Sequence, residues 1–569
     1  MANVSAASSD ANEANGGPDG GLEDTPGPPA TRRHYRRPVE RPFTRADRSQ
    51  TTILFGGLTY RHERLLQAAL TRLGHDSDVL PCPDVAAFQA GKEHGNPGQC
   101  NPTYFTVGSL LNYLNGREQA GASRTDLVDR YVLVTGGACG PCRFGMYEAE
   151  YRLALRNAGF DGFRVVLFDK DSGLDQSVEG AGIEFDVDFF LGALHAAMLG
   201  DLLNDLAYQI RPFEVERGQT DRVMAECVDH VAAVLASSPP PAPALAAAAA
   251  RLIRPWTRSQ VGAIVGRLLG RRSVEALRVV GDALAAIEVD RTRLRPVVKV
   301  TGEFWAQTTE GDGNFRMFEF LEREGAEVVV EPVSTWITYL LHQAKQRNVD
   351  RKGLGRGPAV REEVDLLGRA ADEVRLRRVN APLGLAEALF RREWDRHRAA
   401  LGGLPHPLTD QYTLQRLAHP HYNTRAAGGE GHLEVAKNLY YSSTGRCHMV
   451  LSLKPFGCMP STQSDAVQSA LTSHHPDMVF LPVETSGEGE INAHSRVQMA
   501  LADARTKATV ELDRELDQAG ITLDEVRDYS ASVPGMTSAM YQVPHAAGVA
   551  GTAASFVRHA AAHRAGGLG

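Results

Sequence analysis

The chain repeats one local pattern, in which a short apolar run is followed by turn residues, often glycine, and then by an amphipathic stretch with helical spacing. Such runs predict strands, and repeated strand–helix–strand units predict parallel sheets. We therefore expect an α/β protein with two doubly wound, mainly parallel sheets. The predicted strands are 52–55, 131–134, 164–168, 297–300, 327–330, 449–453 and 478–481.

Composition divides the chain into five parts. The N-terminal part is rich in Gly, Pro and acidic residues, so it buries too little apolar surface to offset its ordering entropy. A proline cluster at 237–243 breaks any helix and indicates a connector. The predicted parts are a disordered tail (1–48), a first α/β unit (49–188), a helical insert with the proline-rich connector (189–294), a second α/β unit (295–505) and a C-terminal helical segment and tail (506–569).

Charge and hydropathy exclude several classes of protein. Lys and Arg total 61 against 69 Asp and Glu, which gives a net charge of -8. That balance argues against nucleic acid as a partner, because phosphate binding needs a basic surface. The sequence gives no sign of a membrane span or an N-terminal secretory signal, so we expect no membrane partner and a cytoplasmic location.

The strongest local signal is Cys139-Gly140-Pro141-Cys142, which lies between a predicted strand with a double glycine and a predicted helix. A helix N-terminus lowers the pKa of a thiol, which suits these cysteines to metal binding or disulfide exchange. A thioredoxin-like dithiol is one alternative, although that fold is far shorter than this chain. The other alternative is that both cysteines only fill space in the protein and carry no chemistry.

Two further cysteines have similar surroundings. Cys100 lies in the turn-rich Gly95–Pro102 segment before a predicted helix, and Cys458 follows the strand at 449–453. Residues just past parallel strands gather at the carboxyl edge of a sheet, so Cys458 is expected to meet Cys139 and Cys142, and Cys100 opens a helix that could join them. Four thiolates suit tetrahedral zinc or an iron–sulfur cluster, and the spacing does not choose between them. Cys82 and Cys227 are interpreted as packing residues or spare thiols, and Cys447, which opens the strand before Cys458, is an intermediate case.

Two glycine-rich loops carry carboxylates or histidine. They contain Glu430 and His432 in one case and Glu488 in the other, and we predict these three as acid or base groups; the alternative is a surface or supporting role. The sequence has no phosphate-binding Gly-x-x-x-x-Gly-Lys loop, no Gly-x-Ser-x-Gly elbow and no His-Glu-x-x-His helix. These absences argue against nucleotide hydrolysis at a phosphate-binding loop, against a serine hydrolase and against a zinc peptidase.

At these motifs the sequence resembles the 2-hydroxyacyl-CoA dehydratase superfamily, specifically its iron–sulfur component and the related region of CoA-substrate enzyme activase fusions. The resemblance covers roughly residues 51–505. It rests on the motifs Gly98–Pro102, Thr135–Gly145, Gly428–His432 and Lys454–Ser461.

The resemblance implies flavodoxin-like domains that hold a [4Fe-4S] cluster through Cys139, Cys142 and Cys458, with Cys100 matching a motif of the activase-fused group. It also implies a separate ATP-hydrolysing activator protein, an acyl-CoA substrate, and a homodimer or a paired iron–sulfur subunit. The expected function is low-potential reduction or dehydration of a CoA thioester or another small molecule. The alternatives are an electron-transfer or activator-docking component without a substrate, and a structural zinc protein.

Overall fold

The computed structural model describes residues 40–137, 140, 142–169, 178–237, 270–352, 366–426 and 428–566. The described residues belong to one compact unit. The described residues do not include Cys139, most of the predicted tail or most of the proline-rich connector. The structure therefore does not test the predictions made for them.

The first sheet consists of four parallel strands in the order β2-β1-β3-β4. The strands are β1 (Thr52–Phe55), β2 (Asp76–Val79), β3 (Tyr131–Gly137) and β4 (Arg164–Asp169). The helices between them are α1 (Tyr60–Arg72), α2 (Val85–His94), α3 (Asn101–Gln119), α4 (Arg124–Arg130) and α5 (Tyr147–Asn157). We call this sheet and its helices the first lobe.

The second sheet repeats that arrangement, with parallel strands in the order β6-β5-β7-β8. The strands are β5 (Val297–Gly302), β6 (Glu327–Val329), β7 (Met449–Pro455) and β8 (Phe480–Thr485). We call this sheet and the helices between its strands the second lobe. The two parallel sheets confirm the predicted α/β class.

The described helices after the first lobe are numbered on along the chain. They are α6 (Val187–Ile210), α7 (Gln219–Ala236), α8 (Arg272–Ala285), α9 (Phe304–Thr308), α10 (Met317–Arg323), α11 (Val333–Asp350), α12 (Leu366–Ala400), α13 (Gln411–Ala418), α14 (Gly431–Ser443), α15 (Met459–His474), α16 (Glu490–Ala519), α17 (Leu523–Ser532) and α18 (Thr552–Arg564).

Helix α6 is the centre of the largest apolar core. It packs against α1 of the first lobe and against α7, and its side chains join those of α8 and α12 in one buried cluster. Within the described residues, Val187–Phe213 is the segment whose length and composition would suit a membrane span, and 67% of its apolar window is buried inside the protein. That burial is typical of a core helix. The cytoplasmic location stays a prediction.

The structure corrects some sequence-based boundaries. Strand β2 was not predicted, because its Asp-Ser-Asp-Val sequence lacks an apolar run. Order begins before the predicted boundary at residue 48: Phe43 is buried, and Glu40 accepts a hydrogen bond from Arg152 at 3.0 Å. The described tail residues from Glu40 onward are therefore part of the folded unit.

Candidate functional site

The loop that carries Cys100, in the first lobe, packs against the loop that carries Cys458, in the second. The backbone N–H of Asn101 donates a hydrogen bond to the carbonyl oxygen of Phe456 at 3.1 Å. A Cβ atom placed on Gly457 would lie 3.4 Å from the Cα atom of Cys100. The structure thus brings two of the predicted thiols to one crevice between the lobes, which we call the thiol crevice.

Cys142 reaches the same crevice from the end of β3. The guanidinium group of the adjacent Arg143 donates to the carbonyl oxygen of Gly98, which ties the Cys142 loop to the Cys100 loop. Cys142 and Cys100 are also close enough for the charge of one thiolate to raise the pKa of the other thiol. Three of the four predicted thiols therefore converge, while Cys139 lies outside the described residues.

The three described thiols share a position at the start of a helix. Cys100 is the N-cap of α3, Cys458 is the N-cap of α15, and Cys142 precedes a short 3-10 helix, Arg143–Met146. In α3 and α15 a proline follows two residues after the cysteine, where its missing N–H costs no helical hydrogen bond. Partial positive charge at these helix ends favours bound thiolate.

Burial opposes that effect in the metal-free protein. It is the largest cause that raises the pKa of Cys142 to about 12, and the carboxylates of Glu430 and Glu303 add to it. Burial also raises the pKa of Cys458 and of Cys100, although hydrogen bonds with Thr103 and Tyr147 partly offset the effect at Cys100. These groups are therefore protonated thiols near neutral pH, and a metal would have to displace their protons.

Glu303 is the group that all three thiols share. Its charge raises the pKa of Cys100, of Cys142 and of Cys458. Glu303 lies directly after β5 and caps α9, where its carboxylate accepts a hydrogen bond from the N–H of Ala306 at 2.9 Å. Removal from bulk water raises its own pKa to about 7. It therefore lies on the second-lobe side, close enough for its charge to act on all three thiols.

Two more carboxylates line the crevice from the start of α14. Burial and the neighbouring charge of Glu303 raise the pKa of Glu430 to about 8. Glu434 is 1% exposed and accepts a 2.7 Å hydrogen bond from Ser461, on the helix that Cys458 caps. Burial raises its pKa as well. At neutral pH the Glu430 carboxyl group is therefore largely protonated and can give up a proton.

The other predicted acid or base residues lie elsewhere. His432 is buried against the ring of Tyr339 at 5.5 Å, and burial lowers its pKa to about 4, so it is neutral at physiological pH. Glu488 is exposed on the loop after β8. The structure thus brings Glu430 to the thiol crevice, whereas it gives His432 and Glu488 no described contact with the thiols.

Sequence reasoning missed part of the site. Glu434, Lys437 and Tyr441 follow Glu430 at helical spacing and form one face of α14 with it. Glu434 and Lys437 are 1% and 5% exposed. Their spacing is visible in the sequence, but charged residues at such positions usually face solvent, so the pattern alone does not indicate burial.

The thiol crevice contains thiols, the donor type that soft metals take. Thiolates select zinc, copper(I) and iron–sulfur clusters, and helix N-termini favour their ionised form. Cys100, Cys142 and Cys458 are the described residues that could hold such a group, and Cys139 belongs to the same Cys-x-x-Cys segment as Cys142. Among the described residues, no three His, Cys, Asp or Glu side chains are grouped closely enough to hold a single metal ion.

Comparisons with protein-family models, with curated proteins and with solved structures found no match.

Proposed function

We propose that this chain is an iron–sulfur protein whose thiol crevice binds a [4Fe-4S] cluster through Cys100, Cys142 and Cys458, with Cys139 as a further ligand candidate. The observation that carries the proposal is the contact between three cysteine-bearing loops: the Cys100 loop is hydrogen-bonded to the Cys458 loop through Asn101 and Phe456, and to the Cys142 loop through Gly98 and Arg143. The buried Cys100 and Cys458 and the half-buried Cys142 each precede a helix, a position that favours thiolate coordination.

We further propose the activity that the sequence resemblance implies: low-potential reduction or dehydration of a CoA thioester or another small molecule. A cluster supplies single-electron chemistry, and iron with an open position also acts as a Lewis acid. A separate ATP-hydrolysing activator would deliver the electrons. The chain's own contribution is to hold the cluster, to exclude water and to supply protons from Glu430 and Glu303.

The repeated strand order supports a relationship between the lobes and flavodoxin-like domains. In both lobes the order is second, first, third and fourth strand, which is the start of the flavodoxin order. Ligands bind such sheets at the carboxyl ends of the strands, where Cys142, Cys458 and Glu303 lie. We propose the flavodoxin-like assignment for both lobes on this basis.

Iron and sulfide analysis of anaerobically purified full-length protein tests the cluster. We expect both elements in the wild type and a loss of at least half of each in Cys100→Ala, Cys142→Ala and Cys458→Ala. Cys227→Ala is the matched control, because Cys227 is also a buried free cysteine but lies in the α6–α7 core. It should keep the wild-type content.

The alternatives give different results in the same experiment. Zinc in place of iron would favour a structural metal protein of this fold. Iron and sulfide at equal levels in the wild type and in all three crevice variants would contradict the ligand assignment. A cluster that binds no acyl-CoA in a direct titration would favour an electron-transfer or activator-docking component.

A further inference from the structure

Two buried hydroxyl groups meet the sulfur atom of Cys100. The hydroxyl oxygen of Thr103 lies 3.4 Å from the Cys100 Sγ atom, and the hydroxyl oxygen of Tyr147 lies 3.2 Å from it. Thr103 is 2% exposed, and Cys100 and Tyr147 are each 7% exposed. The sulfur and the two hydroxyl groups therefore form one hydrogen-bonded cluster that is largely shielded from bulk water.

Tyr147 reaches this sulfur from the segment that carries Cys142. It is the first residue of α5 and follows the 3-10 helix Arg143–Met146, which Cys142 precedes. The ring of Phe144 packs edge-on against the Tyr147 ring, with the ring centres 5.1 Å apart, and this contact restricts how the ring can turn. The hydrogen bond from Tyr147 to Cys100 therefore joins the segments of two thiols within the first lobe.

Thr103 reaches the same sulfur from the first turn of α3. Cys100 is the N-cap of this helix and Thr103 is its third residue, so the turn of the helix brings the two side chains together. The backbone N–H of Thr103 donates to the carbonyl oxygen of Cys100 at 3.0 Å, which fixes this turn. The Thr103 hydroxyl is thus held beside the sulfur by the local backbone of the helix.

The second lobe repeats this sequence pattern but uses the hydroxyl differently. Cys458 and Ser461 occupy the N-cap and the third position of α15, as Cys100 and Thr103 do in α3, and proline is the second residue of both helices. The Ser461 hydroxyl, however, donates to the Glu434 carboxylate at 2.7 Å. Among the described residues, Cys100 is therefore the crevice cysteine whose sulfur is hydrogen-bonded to two hydroxyl groups.

Packing alone does not account for these hydroxyl groups. Tyr147 belongs to the apolar cluster of the first lobe, where a phenylalanine would bury nearly the same surface without a polar atom. Buried hydroxyl groups normally form hydrogen bonds, and the Cys100 sulfur is the partner of both the Tyr147 and the Thr103 hydroxyl. Their shared partner indicates that both hydroxyl groups act on the sulfur.

These hydrogen bonds are strongest when the sulfur carries a negative charge. The sulfur of a thiol is a weak hydrogen-bond acceptor and has a proton of its own to donate. A thiolate has no proton, so both hydroxyl groups donate to it, and hydrogen bonds to an ionised acceptor are about twice as strong as neutral ones. A cysteine that binds a metal is a thiolate. The two hydroxyl groups are therefore arranged to stabilise the metal-bound form of Cys100.

We infer that Thr103 and Tyr147 are positioning residues that raise the reduction potential of the cluster bound at Cys100. The inference rests on the proposed function, because it requires a bound cluster. An electron delivered by the activator adds negative charge to the cluster and its cysteine sulfurs, so hydroxyl groups that donate to the Cys100 sulfur stabilise the reduced state more than the oxidised state. One electron is taken up in this step, and both hydroxyl protons stay on their oxygen atoms.

The midpoint potential of the cluster tests this inference, measured by redox titration of the anaerobically purified full chain with electron paramagnetic resonance. Tyr147→Phe and Thr103→Val each remove one hydroxyl group and nearly keep the shape of the side chain. We expect the equilibrium constant for reduction to fall about three- to tenfold in each variant, which is a shift of about 30–60 mV to more negative potential for a one-electron couple. Thr103→Ser keeps the hydroxyl group and should keep the wild-type potential.

Tyr151→Phe is the matched control. Tyr151 is 6% exposed, lies one turn further along α5 and belongs to the same apolar cluster, but in the described part of the chain its hydroxyl group forms no hydrogen bond with a cysteine. Its loss should leave the potential unchanged. An equal shift in Tyr151→Phe and Tyr147→Phe, or no shift in both Tyr147→Phe and Thr103→Val, would overturn the inference while the cluster assignment stands.

Infrared spectroscopy of the metal-free protein tests the hydrogen bonds themselves. The S–H stretching band that Cys100→Ala removes identifies Cys100. That band should shift in Tyr147→Phe, because the S–H group loses a hydrogen-bonding neighbour, and should stay in place in Tyr151→Phe. A Cys100 band that is the same in Tyr147→Phe and the wild type would overturn the inference.

The two measurements separate the inference from the proposed function. Protein without iron and sulfide would contradict the proposed function and the inference with it. A bound cluster whose potential is unaltered in Tyr147→Phe and Thr103→Val would overturn the inference alone.

Discussion

The side-chain amide of Asn101 donates a 2.7 Å hydrogen bond to the carbonyl oxygen of Thr485, so the residue after Cys100 in the first lobe is fixed to the end of β8 in the second. Asn101 is 2% exposed. With the backbone hydrogen bond from Asn101 to Phe456, this contact joins the two lobes at the thiol crevice. The relative position of the thiols therefore depends on a few inter-lobe contacts, which substitutions can test one at a time.

Gly457→Ala should strain the turn at which the Cys458 loop contacts the Cys100 loop. Gly457 has φ +79° and its added Cβ would lie 3.4 Å from the Cα of Cys100. We expect lower metal content and a loss of about 1–2 kcal/mol from the left-handed backbone alone. Gly74→Ala is the control: it has the same φ of +79° but nothing within 4 Å of the added Cβ. Equal metal content in the two variants would contradict the loop contact.

Gly108→Ala should disrupt the packing that positions the Cys100 helix. An added Cβ at Gly108 in α3 would overlap the carbonyl of Ala87 in α2, so the helices would have to move apart. Overpacking of this kind costs about 1–3 kcal/mol or more, which urea denaturation measures. Gly116→Ala, on the same helix with no atom within 4 Å, should instead stabilise by about 0.5–1 kcal/mol. Similar shifts in both variants would exclude the close helix crossing.

His397 should make the protein sensitive to acid. It is 1% exposed, its Nδ1 donates to the carbonyl of Glu393 at 2.7 Å, and its Nε2 lies 2.8 Å from the Ser273 hydroxyl. Burial lowers its pKa from 6.5 to about 4. The folded state therefore prefers neutral histidine, and this contribution is present above pH 6.5 and is lost as pH falls to 4.

Each unit of pKa shift corresponds to about 1.4 kcal/mol, so the loss at His397 should be on the order of 3 kcal/mol. Unfolding free energies of the metal-free protein between pH 7 and 4 measure it. His397→Gln cannot take up the proton and should show a smaller decrease over the same range. A decrease as steep as in the wild type would assign the acid sensitivity to other groups.

The sequence predicted the apolar framework better than the polar site. All seven predicted strands are present because apolar runs at strand length leave few alternatives, whereas Asp76–Val79 is a strand with hardly any such signal. The rule for carboxyl ends of parallel strands places Cys142 and Cys458 each at the edge of its own sheet. The contact with Cys100 depends on inter-lobe packing, which local sequence patterns do not specify.

The charged residues were harder to predict. Lys437 and Glu434 are buried only because α14 lies between the second sheet and α15, a tertiary arrangement. Glu488 and His432 lie in two different glycine-rich loops, whose composition predicted a catalytic site. Glu488 is exposed, however, and His432 packs on Tyr339. The helical spacing from Glu430 to Tyr441 indicates that these residues share one helix face, although it does not indicate that the face is buried.

Native mass spectrometry of the anaerobically purified full chain tests the cluster assignment most directly, because it weighs the bound group without removing it. The account predicts a wild-type mass that exceeds the polypeptide by four iron and four sulfide atoms, the composition of a [4Fe-4S] cluster. That increment should be lost in Cys142→Ala and kept in Cys227→Ala. A wild-type mass equal to the polypeptide alone, or to the polypeptide with zinc, would contradict the account.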